Sequence, residues 1–200
     1  MTGSMEKVLL AGLLGFALLV LGGCGVNNIP SYDESANAAW SEVLNQYQRR
    51  AELIPNLVST VKGYAAHEQE TLQAVVEARS KATSMQLPND IQSNPEMLKQ
   101  FQASQDALSS ALSRLMVVVE RYPDLKASQN FLSLQSQLEG TENRIAVARR
   151  DYINAVKTYN TELRTYPGKW WHSMLYAELE PRANFAPPEE VQQVPTVEFQ

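Results

Sequence analysis

From Phe131 to Tyr159 one stripe of residues recurs at alternating steps of three and four: Phe131, Leu134, Leu138, Thr141, Ile145, Ala148, Tyr152, Ala155 and Tyr159. With about 3.6 residues per turn, this spacing lines up nine side chains along one face of an α-helix. A half-buried strand would alternate by twos instead. An apolar stripe of this length must be covered, and its heptad rhythm suits partner helices running nearly parallel or antiparallel to it. The chain is therefore read as all-α, and its other segments are read as the partners.

Two such partners precede it. Ala36, Trp40, Val43, Tyr47, Ile54, Leu57, Val61, Ala65, Leu72 and Val75 continue one stripe from about Asp33 to Ala82. Pro55 lies inside that segment, where proline removes the bond to the Ala51 carbonyl. Ile54 is a poor N-cap, so the expectation is one long helix kinked at Pro55, not a new helix starting there. "QLPNDIQSNPEM" then breaks the pattern with two prolines and four cap-type residues. Asn94 is a good N-cap, with Pro95 at the first helical position and Glu96 beside the positive dipole end. The second helix carries Leu98, Phe101, Leu108, Leu112, Leu115 and Val119 and stops before Pro123, which disfavours helical geometry at Tyr122. The short "YPDLKAS" connection makes the second and third helices antiparallel neighbours. The third helix ends at "TYPG", again tyrosine before proline. Beyond Gly168, "KWWHSML" suits a short apolar helix, and the proline-containing remainder should be extended, laid on the bundle or loose.

The first segment of the chain is different in kind. Val8 to Leu21, "VLLAGLLGFALLVL", is fourteen residues without a charge, and the uncharged stretch reaches nineteen at Val26. The shorter count fits a signal h-region and the longer one just reaches a membrane span. Gly22, Gly23 and Cys24 follow, then the polar "NNIPSYDE". "LGGC" resembles the lipobox of bacterial lipoproteins, in which cleavage exposes the cysteine and acyl chains are attached to it. Cys24 is thus the expected lipidation site; the alternative is an uncleaved helix with an incidental cysteine. Lys7 is the one base before the greasy run, and no Lys or Arg occurs from Gly25 to Gln48. Under either reading that asymmetry keeps the N-terminus cytoplasmic and sends the rest across the membrane. Several acyl chains on one residue would anchor stably, where one would not.

Composition narrows the partners. The net charge of −5 and a pI near 5.1 argue against nucleic acid, which needs a basic face to replace counterions. One cysteine excludes an internal disulfide and any multi-cysteine metal site. His67 and His172 are the two histidines. "HEQET" at 67–71 begins like a zincin motif but carries Thr71 where the second ligand must stand. Glu68 and Glu70 could form a carboxylate pair, although acids on an exposed helix face are usually only solvated. "QRR" (48–50) and "ARR" (148–150) read as helix-surface runs paired with acids such as Glu52 and Asp151. Arg50, Thr141 and Glu142 can enter the seams, either snorkelling at a bundle edge or as a buried ionic layer that sets register. Adjacent Trp170 and Trp171 must face different ways on a helix, so both are hard to bury in one groove. Either the C-terminal tail covers them, or one of them marks a partner or membrane-interface contact.

"AWSEVLNQYQRRAELIPNLVSTVKGYAAHE" (39–68) and "YPDLKASQNFLSLQSQLEGTENRIAVARRDYINAVKTYN" (122–160) resemble the two signature blocks of the LemA family. The resemblance runs from about Tyr32 to Pro167 and is dense at "LIPNLV", "VKGYA", "YPDLKA" and "TEN". It implies an exported, membrane-anchored bacterial protein with an elongated antiparallel helical bundle and no established catalytic activity. Many relatives keep an uncleaved transmembrane helix where this chain has "LGGC", and "GKWWHSMLYAELEP" fits the family's usual ending only loosely.

These readings together describe an elongated antiparallel three-helix bundle with a long kinked first helix and a short C-terminal fourth. Residues 1–23 are the signal or membrane segment, 24–32 a tether, 33–167 the bundle, and 168–200 the short helix and extended tail. No catalytic residue, cofactor, metal or small-molecule substrate is expected. The expected partners are the membrane, further copies of the chain or envelope proteins. The expected address is the periplasmic face of a bacterial envelope. Gly25 rather than Asp after the cysteine favours the outer membrane, by analogy with enterobacterial lipoproteins.

Overall fold

The computed structural model describes residues 25–86, 88 and 91–185. Its helices are α1 (Asn28–Tyr64), α2 (Gln69–Ser84), α3 (Pro95–Val119), the single-turn α4 (Pro123–Lys126), α5 (Gln129–Arg164) and α6 (Gly168–Leu175), with a 3-10 turn at Ile91–Ser93. No strand occurs among the described residues. The all-α bundle is as the periodicity predicts, and α5 buries Phe131, Leu138, Thr141, Ile145, Ala148, Tyr152 and Tyr159 from the predicted stripe.

α1 has 37 residues and would be about 55 Å long at 1.5 Å per residue. It lies antiparallel to α5 along nearly its whole length. At one end Ile29 packs with Tyr159 and Leu163. At the other, Leu57 and Val61 share a core with Phe131 and Leu138. The chain runs out along α1, back along α2, out along α3 and back along α5. The half of the bundle beyond Ile54 is therefore four helices thick. Its core combines Ile54, Leu57 and Val61 with Leu72 and Val75 of α2 and Leu108, Leu112 and Leu115 of α3.

The first segment departs from the predicted single kinked helix. Helix α1 is continuous through Pro55, and the break falls at 65–68, where the chain turns back as α2. At Pro55 the ring faces solvent. The carbonyl deprived of its amide partner, that of Ala51, accepts instead from Arg79 Nε of α2 at 2.8 Å. The proline's characteristic defect is thus repaired from a neighbouring helix. At the real break, the Ala65 amide still bonds Val61 O and Glu68 N bonds Ala65 O. The Glu68 carboxylate then accepts from Tyr122 Oη at 2.8 Å and from an Arg121 amino group at 3.0 Å, tying the turn to the end of α3. A straight continuation would carry Leu72, Val75 and Ala82 beyond α3 into water. Folding back buries all three, at about 1.5–3 kcal/mol for each large aliphatic side chain.

Other boundaries follow local chemistry. Asn94 Oδ1 accepts from the Met97 amide at 3.1 Å, with Pro95 opening α3. Helix α1 starts earlier than expected, at Asn28: residues 28–32, read as tether, form its first turn, and Ile29 is fully buried.

Candidate functional site

Two places in this bundle gather polar and aromatic side chains. The first is the end where the chain enters α1 and leaves α5. After "TYPG" closes α5, Gly168 lies so close to it that an added Cβ would meet Glu162 O at 2.3 Å. Only glycine permits this approach, and it seats α6 across the end of the bundle. Trp171 then packs on Ile29, Tyr159 and Leu163, with Tyr32, Tyr176 and Leu179 around it. Asn28 Nδ2 donates to Glu162 Oε1 at 3.1 Å, joining the first turn of α1 to the last turn of α5.

Residues 176–185 continue as an extended strap back along the bundle. His172 Nε2 lies 2.9 Å from Leu179 O, at the start of the strap. Asn160 behaves as a backbone mimic: its Nδ2 donates to Arg182 O at 2.8 Å and its Oδ1 accepts from Arg182 N at 2.9 Å. The Arg182 guanidinium donates to Asp33 Oδ1, at 2.7 Å from one amino group, and also to Gln92 Oε1. Tyr159 Oη donates to Glu180 O at 3.1 Å and Tyr152 Oη to Ala183 O at 3.0 Å. Burial pushes both phenols up to about 12, against a weaker opposing pull from Arg182. Phe185 ends the described strap in an aromatic cluster with Trp40 and Tyr152, under the Arg149 guanidinium. Of the two arrangements left open for the tail, its described part is laid on the bundle.

The tryptophan pair is thereby split. Trp171 is half-buried by α1, α5 and the strap, whereas Trp170 is 60% exposed. Beside Trp170, Tyr166 meets it edge to face at 4.9 Å, and Met174 and Leu175 are also exposed.

The second place is a polar layer at mid-bundle. Arg50 is 1% exposed. One of its amino groups donates to Ser109 Oγ at 2.7 Å and Glu142 Oε2 at 3.0 Å; the other donates to Gln105 Oε1 at 2.8 Å and Gln105 O at 3.2 Å. Its guanidinium also lies over the Tyr47 ring. The reading of "QRR" as a surface run therefore holds for Arg49, which is exposed, and fails for Arg50. Arg50 does not snorkel either, because acceptors on α3 and α5 fix the head group inside. Glu142 is half-exposed and borders a groove of about 360 Å³ between α3 and α5, lined also by Leu112, Met116 and Leu138. Thr141 is fully buried, its hydroxyl donating to Gln137 O one turn back.

The remaining candidates do not converge. His67 is exposed in the α1–α2 turn, Glu68 is held by Tyr122 and Arg121, and Glu70 lies exposed in the first turn of α2. Among the described residues no group of three or more His, Cys, Asp or Glu could hold a metal ion. No helix among them is long and apolar enough to cross a membrane. Cys24 and the run Val8–Leu21 lie outside the described residues.

The architecture is that of a strapped helical bundle whose polar side chains tie helices to one another. The chain belongs to the LemA family, whose model matches residues 39–199. It is similar to magnetosome protein MamQ 1 and MamQ 2 of Paramagnetospirillum magneticum, each 27% identical over 80% of this chain and 63% of the relative. It is also similar to protein LemA of Metamycoplasma hominis, 29% identical over 67% of this chain and 57% of that one. The chain thus spans less than two thirds of the length of these relatives. Family membership places it among membrane-associated helical proteins.

Proposed function

We propose that this protein is a lipid-anchored, non-catalytic component of a bacterial envelope, whose bundle works as a scaffold through self-association or partner binding. The observation that carries the reading is the junction of anchor and bundle. The charge-free run Val8–Leu21 and Cys24 lead directly into α1, which is helical from Asn28. A rigid bundle joined to a membrane segment by so short a link is held close to the bilayer. The magnetosome relatives agree with a part in a larger assembly. Cys24 carries the acyl chains, the bundle faces the periplasm, and Gly25 favours the outer membrane.

Substituting Cys24 by serine tests the anchor. Released protein or accumulated precursor supports lipidation, whereas unchanged size and membrane retention would point to an uncleaved helix. Crosslinking in intact cells tests the scaffold, which fails if the protein is strictly monomeric and captures no envelope protein. Exposed Trp170 favours a second reading, an adaptor of an envelope peptidase or stress-response system. Deleting residues 168–200 would not probe that reading cleanly, because the strap bonds Tyr152, Tyr159 and Asn160 and Phe185 is core. Surface substitutions at Trp170 and Met174 are the better probe.

A further inference from the structure

We propose that the outer face of α6 and the turn before it form a bilayer contact: Tyr166, Trp170 and Met174 rest in the lipid–water interface beside the N-terminal anchor. The inference rests on the anchored reading and adds which surface meets the membrane and how the bundle is held there.

Trp170 and Met174 stand four apart on one face of α6, and Tyr166, in the turn just before the helix, meets the Trp170 ring edge to face. Tyr166, Trp170 and Met174 are 64%, 60% and 72% exposed, and neighbouring Leu175 is 53% exposed. These large side chains are grouped on a helix of eight residues and the turn that leads into it. The adjoining face is seated, through Gly168 against Glu162 and Trp171 against Ile29 and Leu163. The helix is therefore amphipathic, with Gly168 and Trp171 packed on the bundle and Trp170 and Met174 turned away from it.

Position selects the occupant. Gly25 sits beside α6, since a Cβ on it would lie 3.6 Å from Pro167 Cγ. The hydrophobic run ends at Leu21, and four residues of fully extended chain reach about 14 Å. An acyl group on Cys24 would be one residue away. Whichever anchor operates, the end of the bundle bearing α6 cannot leave the bilayer surface by more than about 14 Å, little more than the length of α6 itself. The chemistry also suits that layer. Tyrosine and tryptophan pair an apolar ring with a polar tip and gather at membrane interfaces. Lys169, 5.9 Å over the Tyr166 ring, and Arg164 are exposed bases whose stems can lie along the interface with their charges at headgroup level. Tyr166, Trp170 and Met174 would then form a second contact that limits the tilt of the bundle about its anchor.

The test uses the full chain reconstituted in phosphatidylcholine vesicles with brominated acyl chains, whose bromine quenches nearby indoles. Co-flotation reads the anchor and Trp fluorescence reads α6. The expected result is co-flotation of all variants, with quenching lost in Trp170→Phe and retained in Trp171→Phe. Trp40, 5% exposed in the core, supplies the unquenched background. Flotation with no quenching of Trp170 overturns the proposal while leaving the anchor standing. If aqueous iodide then quenches Trp170 as fully as in detergent, the face is free in water; if neither agent does, protein covers it. Failure to float overturns the anchored reading and the bilayer contact together.

Discussion

The repair of Pro55 by Arg79 can be tested as a coupling between two residues on different helices. In the native chain Arg79→Met removes a hydrogen bond of 2.8 Å and leaves Ala51 O, in a residue only 6% exposed, without a donor. A bond to a charged donor is worth about 1.5–3 kcal/mol, so the expected cost is about 2 kcal/mol. Pro55→Ala restores the missing amide, which then bonds Ala51 O in the ordinary helical way. Its gain should fall short of the ~3 kcal/mol typical of an interior proline, because the acceptor already has a partner. In that background Arg79→Met should cost about 1 kcal/mol or less, since the carbonyl keeps a donor. The predicted coupling is thus about 1 kcal/mol or somewhat more. Urea unfolding of the four full-length variants in mild detergent, followed by far-ultraviolet circular dichroism, measures it. Equal Arg79→Met penalties in both backgrounds, within ~0.5 kcal/mol, would refute the compensation.

The polar layer, the strap and the seat of α6 can be probed in the same way. Arg50→Lys keeps the charge but loses the fork shared by Ser109, Glu142 and Gln105, and should cost about 2–3 kcal/mol by chemical unfolding. Glu142→Gln, at a half-exposed carboxylate, should cost about 1 kcal/mol or less, and the reverse order would mean that the arginine does not organise the layer. Tyr152 and Tyr159 titrate near 12 in the folded chain against 10.0 for a free phenol, so the unfolded state loses these protons first. Their contribution to stability is complete below pH 10 and is lost as pH rises through about 12. Tyrosinate absorbance and circular dichroism recorded together should show strap release or unfolding in that window. Gly168→Ala forces α6 away from Glu162 O and should cost about 1–3 kcal/mol while shifting Trp171 emission towards the red. A variant of unchanged stability and emission would show that α6 is not held by that approach.

Much of the bundle is legible in the residues because periodicity and capping act locally. The stripe of α5, the Asn94–Pro95 start of α3 and the tyrosine–proline stops each depend on neighbours within a few residues. The fold-back of α2 is not local. The stripe through Val61, Ala65, Leu72 and Val75 stays in phase across the break, so a continuous helix and a hairpin present nearly the same pattern. Arg50 was ambiguous for a related reason. Its position in the seam was visible, but Ser109 and Gln105 stand 59 and 55 residues away, and only their convergence makes burial tolerable.

The functional reading divides along the same line. The proposed anchor is read from residues 8–24 in bare order, as length, charge and a cysteine after small residues, and the two signature blocks carry the family. The adjacent tryptophans showed that one of the two was hard to bury, but not which one. That depended on Gly168, whose missing side chain lets α6 press against α5 with Trp171 inward and Trp170 outward. The strap likewise reads as a proline-containing tail until Asn160, Asp33 and two tyrosines are brought alongside it. The stripe of α5, the start of α3 and the tyrosine–proline stops are written in the sequence because short-range sterics and solvation determine them. Where the chain turns back, which charge is buried and which indole meets the outside were decided by tertiary structure, because each depends on long-range contacts that exist only once the helices have packed.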